Sequence, residues 1–242
     1  MTSTMMMTTA SKADRTEPRG RSDCLTLMHT SPISIGIFID GGYFSKINDE
    51  LRRRRQLQID IHGYLEYIRG RIAQHAGTDP SDCLITESHY FRGRFRAATA
   101  NEKHILLPER YFEDALIDND VIFHYKHLRE VPNSSGGTTI VEKGVDVWFA
   151  LEAYELTSIR RFDYVVLITG DADHEMLIRK LKALKVNVLL YTWNLGPQSA
   201  TSPFLEEEAP WHIDMEHETS AHPAILNQVC RRLAQRRDDS AD

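Results

Sequence analysis

Short apolar segments alternate with longer segments of helical character, and this alternation restricts the chain to a small set of folds. The apolar segments cover residues 33–40, 83–91, 121–128, 164–169 and 186–193. They are short and nearly continuously apolar, as is typical of strands that are buried on both faces of a parallel sheet. Strands that alternate with helices indicate an α/β domain with helices on both faces. The sequence therefore predicts a mostly parallel central sheet in a three-layer arrangement.

Helical segments are predicted between these strands. They cover residues 43–57, 60–76, 102–117, a stretch that begins after Gly144, 173–184 and 223–237. After Gly144, helical spacing places one apolar stripe along Val145, Trp148, Leu151 (or Ala150) and Tyr154. We expect a flexible basic segment over 92–101, a loop over 132–137 and irregular structure over 194–210.

The predicted domain occupies residues 32–215. Residues 1–31 are rich in Ser, Thr and charge, which predicts a disordered tail, and Met28 offers an alternative start. Residues 216–242 are predicted to form a helical extension with a frayed end. The tail lacks the apolar core of about 7–15 residues that a secretory signal requires. No apolar run approaches the roughly 20 residues of a membrane span, so we expect a cytoplasmic protein.

The net charge of the chain bears on its binding to nucleic acid, and its cysteine content bears on the redox state of its compartment. The 242 residues include 29 Lys and Arg against 35 Asp and Glu, a formal net charge of -6. Binding to nucleic acid would therefore depend on local basic patches rather than on overall charge. The three cysteines, Cys24, Cys83 and Cys230, lie far apart and form no CxxC pair. We expect a reducing compartment, without a disulfide framework or a zinc site.

Aspartates follow two of the predicted strands where each strand ends. Asp40 ends the first strand, and Asp171 and Asp173 follow the strand over 164–169, while Asp146 stands at the start of a predicted helix. Ligands of open parallel sheets lie beyond the carboxyl ends of the strands. We therefore expect the four carboxylates within about 8 Å of a common centre, the scale of a two-metal site. A Mg²⁺ or Mn²⁺ ion, which prefers oxygen ligands, would neutralise their repulsion.

Each aspartate also has a purely structural interpretation. Asp40 precedes a glycine, which is a common turn sequence. Asp171 or Asp173 can cap the helix that follows, and Asp146 can cap its own helix. For each residue taken alone these interpretations stay open, whereas the joint placement in an alternating α/β chain favours a shared metal site.

Three segments, in this order, resemble the NYN domain in its LabA-like branch. They are FIDGGYF (38–44), KGVDVWFALEAY (143–154) and TGDADHEMLIRKLKALKVNVLLY (169–191). The resemblance spans roughly 33–215 and implies a PIN-like nuclease fold with the activity of a Mg²⁺- or Mn²⁺-dependent ribonuclease. It also implies the catalytic and metal-binding carboxylates, which are Asp40, Asp146, Asp171 and Asp173.

Two positions depart from the pattern of that family. Gly42 and Tyr43 stand where its first motif often has Asn, and His174 stands where its last motif usually has an aromatic residue. His174 can contact phosphate or donate a proton. The favoured interpretation is a partly exposed histidine in the first turn of a helix.

An RNA substrate needs a positive path to the site. One candidate segment mixes basic with aromatic side chains, namely Arg92, Arg94 and Arg96 with Tyr90, Phe91 and Phe95. This mixture suits single strands, in which bases stack on rings and arginines hold phosphates. For the run Arg52–Arg55, a solvated helix face is favoured. Lys143 can reach phosphate and Thr169 can orient a metal ligand, although a structural role is the default for both.

The leading hypothesis is an endoribonuclease that hydrolyses single-stranded RNA with carboxylate-bound Mg²⁺ or Mn²⁺. The alternative is a non-catalytic NYN-fold module that binds RNA or a regulatory protein. Retention of all four aspartates favours the enzyme, since binding alone does not require that cluster of charge. A phosphatase of the haloacid dehalogenase type is disfavoured, because its nucleophile motif needs a second Asp where Gly42 stands.

Overall fold

A computed structural model describes residues 31–133 and 137–233, and its centre is a six-stranded sheet. The strands in chain order are β1 Ile33–Asp40, β2 Leu57–Ile59, β3 Cys83–Arg94, β4 Val121–His127, β5 Arg129–Pro132, β6 Thr138–Val141, β7 Tyr164–Ile168, β8 Asn187–Thr192, β9 Trp211–Asp214 and β10 Cys230–Arg232. The sheet has the order β4-β3-β1-β7-β8-β9, and each neighbouring pair is parallel. Two antiparallel pairs, β5 with β6 and β2 with β10, lie outside it. The predicted mostly parallel sheet is confirmed.

Helices cover both faces of this sheet. They are α1 Gly41–Arg55, α2 Ile61–Ala76, α3 Ala97–Glu102, α4 Leu106–Ile117, α5 Val145–Arg160, α6 Glu175–Ala183, α7 Pro203–Glu208, α8 Met215–Ala221 and α9 Pro223–Val229. Helices α1 and α2 each begin after an aspartate whose side chain accepts a backbone N–H of the first turn, Asp40 from Tyr43 and Asp60 from Gly63. Such caps satisfy N–H groups that have no partner within the helix.

The side chains of β1 alternate between two cores. Ile35, Ile37 and Ile39 are buried against the layer that contains α1 and α2. Phe38 points the other way, into the core that α5 and α6 close. Each fully buried side chain of this size contributes about 1.5–3 kcal/mol. The central strand is therefore apolar on both faces, and this is why it is recognisable in the sequence.

The buried face of α5 differs from the predicted stripe. It consists of Val145, Phe149, Ala153 and Thr157. The predicted stripe is confirmed for Val145, and Trp148 and the alternative Ala150 pack against the core. It is wrong for Leu151, which is 63% exposed, and for Tyr154, which is 40% exposed. This helix has apolar residues on several sides, so helical spacing alone fits more than one stripe.

The C-terminal segments pack against α2 and β2. The predicted helix over 223–237 is confirmed for Pro223–Val229 and is wrong for the residues that follow, because α9 ends at Val229 and Cys230–Arg232 form β10. Pairing with β2 buries Cys230 opposite Ile59 and overrides the helical tendency of the local sequence. No helix in the two described ranges is long and apolar enough to cross a membrane.

Some predictions fall on residues outside the described ranges. They concern the tail up to residue 30, Met28, Cys24 and the frayed end beyond residue 233. The two cysteines inside the ranges, Cys83 and Cys230, are buried free thiols.

A pair of histidines lies between β3, β4 and α5. Nδ1 of His89 is 3.0 Å from Nε2 of His124, and the His124 ring stacks on Phe91 with 4.3 Å between centroids. Burial lowers the pKa of both imidazoles below their ordinary value of 6.5. Glu87 and Glu152 oppose the shift for His89, and Arg160 adds to it. The fold therefore holds both rings in the neutral state.

Stability is expected to fall at acidic pH because of this pair. The unfolded chain takes up protons near pH 6.5 and the folded chain does not, so the stabilisation is complete above that pH and is lost below it. Urea unfolding should give a free energy about 1–2 kcal/mol lower at pH 5.5 than at pH 7.5. His124→Phe retains an aromatic ring beside Phe91 and should roughly halve the difference, whereas His217→Gln, at an exposed position, should not change it. Equal free energies at both pH values would contradict the assignment.

Candidate functional site

The carboxyl ends of β1 and β7 lie side by side and carry the aspartates. β1 ends at Asp40, and β7 leads into Thr169, Gly170 and Asp171. The chain places β3 and β4 on one side of β1, and β7, β8 and β9 on the other. The gap between β1 and β7 is therefore the switch point of the sheet, where open parallel sheets bind their ligands.

Two donors hold the carboxylate of Asp40. Oδ1 accepts the backbone N–H of Tyr43 at 3.1 Å, and Oδ2 accepts the hydroxyl of Thr169 at 3.1 Å. Burial raises the pKa of Asp40, and the Asp146 carboxylate raises it further. The two hydrogen bonds and His174 act in the opposite direction. An additional positive charge at this position would stabilise the ionised carboxylate.

The hydroxyl of Thr169 connects Asp40 to His174. Its proton points to Asp40, so Nδ1 of His174, which lies 3.1 Å from Oγ1, must donate to the hydroxyl. The backbone N–H of Asp171 also donates to Oγ1, at 3.3 Å. Oγ1 of Thr169 thus donates one hydrogen bond and accepts two, and it fixes the two strand ends relative to each other.

His174 is buried, with 1% of its surface exposed. The prediction of a partly exposed histidine is wrong, because Phe149 of α5 covers the ring with 4.5 Å between centroids. Its Nε2 has no hydrogen-bond partner among the described residues. The ring therefore orients Thr169 rather than facing solvent.

Removing the Thr169 hydroxyl should destabilise the fold. Thr169→Val would leave the Asp40 carboxylate, the Asp171 N–H and Nδ1 of His174 each without one partner, and an unsatisfied buried group costs about 1–3 kcal/mol. Thr169→Ser retains the hydroxyl and serves as the control. Urea unfolding measures both variants. If the valine and serine variants unfolded at the same urea concentration, this network would not contribute to stability.

Asp171, which follows β7, and Asp146, which lies in α5, differ in their capping roles. Oδ1 of Asp171 accepts the N–H of Asp173 at 3.0 Å and caps a short 3₁₀ turn. The capping interpretation is thus confirmed for Asp171. It is wrong for Asp146, which lies exposed inside the first turn of α5, where Gly144 occupies the cap position.

Gly170 allows the Asp171 segment to pack closely against α1. A Cβ at this position would stand 2.6 Å from Cε2 of Tyr43 and 3.1 Å from the carbonyl oxygen of Ala200. The Tyr43 hydroxyl in turn donates toward the carbonyl of Trp193, at 3.2 Å. A glycine is needed because any larger residue would push the aspartates away from β1.

One carboxylate at the site was not predicted. Oε2 of Glu142 accepts the N–H of Gly93. A Cβ added at Gly42 would stand 3.7 Å from Oε1 of Glu142 and 3.2 Å from Oδ1 of Asp40, so both carboxylates border this glycine. Loss of water around the carboxylate raises the pKa of Glu142, and Asp40 and Asp146 raise it further. The available signal was its place four residues before Asp146, in the same EKGVD stretch.

Comparison with known proteins identifies the family. The family model described as the NYN domain matches residues 34–216. The chain belongs to the NYN domain family. NYN domains are a family of PIN-like nucleases. The LabA-like branch within the family stays a prediction.

One solved structure is similar to this NYN domain. It is a protein of unknown function from Vibrio parahaemolyticus, with 16% sequence identity and a TM-score of 0.50. The match covers 77% of this chain and 94% of that chain, and at this identity it shows the fold alone. No curated protein matches the sequence.

The aromatic side chains of the predicted RNA-binding segment are not available to bases. Tyr90 is 1% exposed and Phe91 is fully buried, so both belong to the cores of the NYN domain. Phe95 is half-buried and contacts Lys103, whose Nζ lies 5.4 Å from the ring centroid. The predicted stacking of RNA bases on Tyr90 and Phe91 is therefore wrong; β3 continues through Arg94 and places these rings inside.

The three arginines of this segment have different surroundings. Arg94 pairs with Glu113 at 3.1 Å and covers the ring of Tyr125 at 4.9 Å. Arg92 follows the sheet partner of Asp40, and its charge lowers the pKa of Glu142. Arg96 is exposed at the start of α3. Only Arg92 and Arg96 are therefore placed to meet a ligand.

The run Arg52–Arg55 is largely neutralised by neighbouring carboxylates. Arg53 and Arg54 pair with Glu50 at 2.5 Å and 2.6 Å. Arg55 pairs with Glu216 at 2.6 Å. These contacts support the structural interpretation of the run as the end of a helix. Lys143 is exposed next to Glu142.

The donor set of this NYN domain suits a hard divalent cation. The charge of Asp146 raises the pKa of Asp40, and the charges of Asp40 and Asp146 raise the pKa of Glu142. The oxygens of these carboxylates are the ligands that Mg²⁺ and Mn²⁺ prefer. Over residues 31–133 and 137–233, no three His, Cys, Asp or Glu side chains form a preformed metal cluster. Water would therefore complete the shell of such an ion, as is usual for Mg²⁺. Convergence of all four aspartates on one centre stays a prediction.

Proposed function

We propose that this NYN domain is a metal-dependent endoribonuclease that hydrolyses phosphodiester bonds of single-stranded RNA at the edge between β1 and β7. The Asp40 carboxylate carries the proposal. It is partly buried, two donors hold it in one orientation, and Asp146 repels it. Repulsion of this kind destabilises the unliganded fold, and a bound cation reverses it.

The proposed metal ligands are Asp40 and Asp171 at the centre, with Asp146 and Asp173 completing the shell directly or through water. Glu142 adds negative charge beside Gly42, which the Asp40 carboxylate also borders. A divalent ion in such a site activates a water molecule and stabilises the leaving oxygen. Thr169 orients the Asp40 carboxylate and His174 orients Thr169, as outer partners of metal ligands commonly do.

The proposed RNA contacts are Arg92, Arg96 and Lys143, of which the exposed Arg96 and Lys143 are the ones placed to meet phosphates. Arg92 lies near Glu142, Arg96 is exposed at the end of β3, and Lys143 is exposed in the loop before α5. Arg94 instead holds Glu113 and shapes the protein around the site. In this proposal, these positive charges attract the phosphates of a single strand toward the acidic centre.

A non-catalytic module that binds RNA or a regulatory protein is the second candidate. One observation favours it: Asp171 already uses one oxygen to cap its own turn. A capping carboxylate retains its second oxygen for a metal, so this observation does not outweigh the arrangement around Asp40.

A cleavage assay separates the two candidates. The full chain is incubated with mixed-sequence single-stranded RNA or DNA of equal length, in Mg²⁺, in Mn²⁺ and in EDTA. We expect cleavage of RNA in either metal and none in EDTA. RNA that is bound but stays intact in both metals would support the binding module, and faster cleavage of DNA would contradict the proposed substrate.

A further inference from the structure

A cavity of about 230 Å³ lies beside the acidic edge, between α1, α4 and the carboxyl ends of β3 and β4. Its half-buried aromatic lining residues are Phe112 and Tyr125, while Phe44 and Tyr90 border it but are themselves buried. Its polar lining includes Arg92 and Glu109, one contributed by β3 and the other by α4. The cavity therefore combines ring surfaces with balanced charge, since three arginines (Arg52, Arg92 and Arg94) and three carboxylates (Asp49, Glu109 and Glu113) line it.

The cavity adjoins the proposed catalytic edge. Asp40 pairs with Phe91 in the sheet, so Arg92 follows directly on the neighbouring strand. Adjacent strands lie about 5 Å apart. The Tyr90 hydroxyl donates toward the carbonyl of Gly41 at 3.4 Å. This hydrogen bond connects Tyr90, a residue of the cavity wall, to the residue that follows Asp40. A nucleotide in the cavity would thus be next to a phosphate held at Asp40.

Glu109 has unused hydrogen-bonding capacity. Its Oε2 atom is shielded from solvent and has no hydrogen-bond partner among the described residues. Its charge attracts Arg92 across the cavity. A carboxylate accepts hydrogen bonds and cannot donate them, so the missing partner must carry N–H or O–H groups. Buried polar groups without a partner are uncommon and call for an explanation.

The charge balance of the lining favours a base over a phosphate. Arg94 is paired with Glu113, and Arg92 faces Glu109. Little net positive charge is left to hold an anion inside the cavity. A planar ligand with donors on one edge and acceptors on another would satisfy both side chains and would contact the aromatic rings.

We propose that this cavity is a subsite for a guanine base of the RNA substrate, an inference that rests on the proposed nuclease function. Guanine presents O6 and N7 as acceptors, to which arginine binds in a bidentate manner. Its N1–H and N2–H donors suit the Glu109 carboxylate. Adenine and cytosine each offer the carboxylate an amino group, without a second donor beside it, and uracil offers one imino group.

Binding of mononucleotides tests the subsite independently of cleavage. Isothermal titration of the full chain with GMP, AMP, CMP and UMP should show GMP binding on the order of ten-fold tighter, the discrimination expected of one good bidentate pair. Glu109→Gln should remove most of this preference. Glu155→Gln, at an exposed position on α5, is the matched control and should retain it.

Two outcomes would overturn the proposal: a wild-type chain that binds all four nucleotides equally, or a folded Glu109→Gln variant with the wild-type preference. If Glu109→Gln does not fold, Arg92→Lys tests the same cavity, because it keeps the charge and loses the bidentate geometry. GMP affinity should then fall about ten-fold, and an unchanged affinity would equally overturn the subsite.

Mapping of cleavage sites on mixed-sequence RNA separates this subsite from the nuclease itself. Cleavage beside guanine supports both proposals. Cleavage without base preference overturns the subsite, even if GMP binds as a free nucleotide, and leaves the nuclease standing. A preference for GMP without any cleavage supports the base site and contradicts the nuclease.

Discussion

Asp40→Asn is expected to reduce metal-dependent RNA cleavage at least about a thousand-fold, because a metal ligand of this kind supplies several kcal/mol of transition-state stabilisation. Asparagine retains an oxygen that accepts the Tyr43 N–H and it is itself a good N-cap, so α1 should stay intact. The amide nitrogen of asparagine cannot accept the Thr169 hydroxyl, so this hydrogen bond is lost, whereas removal of the partly buried charge near Asp146 is favourable. We expect the two effects to offset each other and the metal-free stability to stay close to that of the wild type.

Three measurements complete this test. Cleavage rates in Mn²⁺ report activity, filter binding reports RNA affinity, and urea unfolding with and without Mn²⁺ reports metal binding, since a ligand that binds only the folded state stabilises it. We expect unchanged RNA affinity and a loss of the Mn²⁺ effect. Asp114→Asn, at an exposed position on α4, is the matched control. An Asp40→Asn variant with full activity would remove the basis of the proposed mechanism.

Gly63→Ala should produce the largest loss of stability among the substitutions considered. A Cβ at Gly63 would stand 1.9 Å from the carbonyl oxygen of Gln228 in α9. That oxygen belongs to the backbone, so α9 would have to move away from α2. Overpacking typically costs about 1–3 kcal/mol, and we expect a value at or above the upper limit.

Gly70 provides a control in the same helix. Nothing lies within 4 Å of a Cβ added there, and alanine is favoured over glycine in a helix by about 0.5–1 kcal/mol. Gly70→Ala should therefore stabilise the protein slightly. Urea unfolding of both variants measures the contrast. Equal stabilities would show that the contact between α2 and α9 is easily displaced.

The sequence predicted the central strands because both faces of each are buried. It missed the short strands β2, β5, β6, β9 and β10, which have only three or four residues each. Their positions depend on partners that are distant in the chain, as β9 depends on β8, and three residues carry too little periodicity to be recognised. The segment over 92–101, which was predicted to be flexible, contains the end of β3 and most of α3.

In the candidate site too, residues placed by the ends of buried strands were predictable, and residues placed by contacts between distant parts of the chain were not. Asp40 and Asp171 were predictable because strand ends meet at one edge of a parallel sheet. Glu142 was missed because its position depends on a long-range hydrogen bond to Gly93. The burial of His174 depends on Phe149, a residue on another helix. Contacts of this kind leave no local pattern in the sequence.

The position of β1 at the centre of the sheet has a consequence for synthesis of the protein. β3 and β4 can pair with one edge of β1 early, whereas the other edge waits for β7, which begins at Tyr164. At about 5–20 residues per second, that edge stays open for on the order of ten seconds on the ribosome. An open apolar strand edge invites aggregation, so the nascent chain needs protection during this interval. Because the strand ends that carry Asp40 and Asp171 come together only when β7 docks, the proposed metal site cannot form in an unfinished chain.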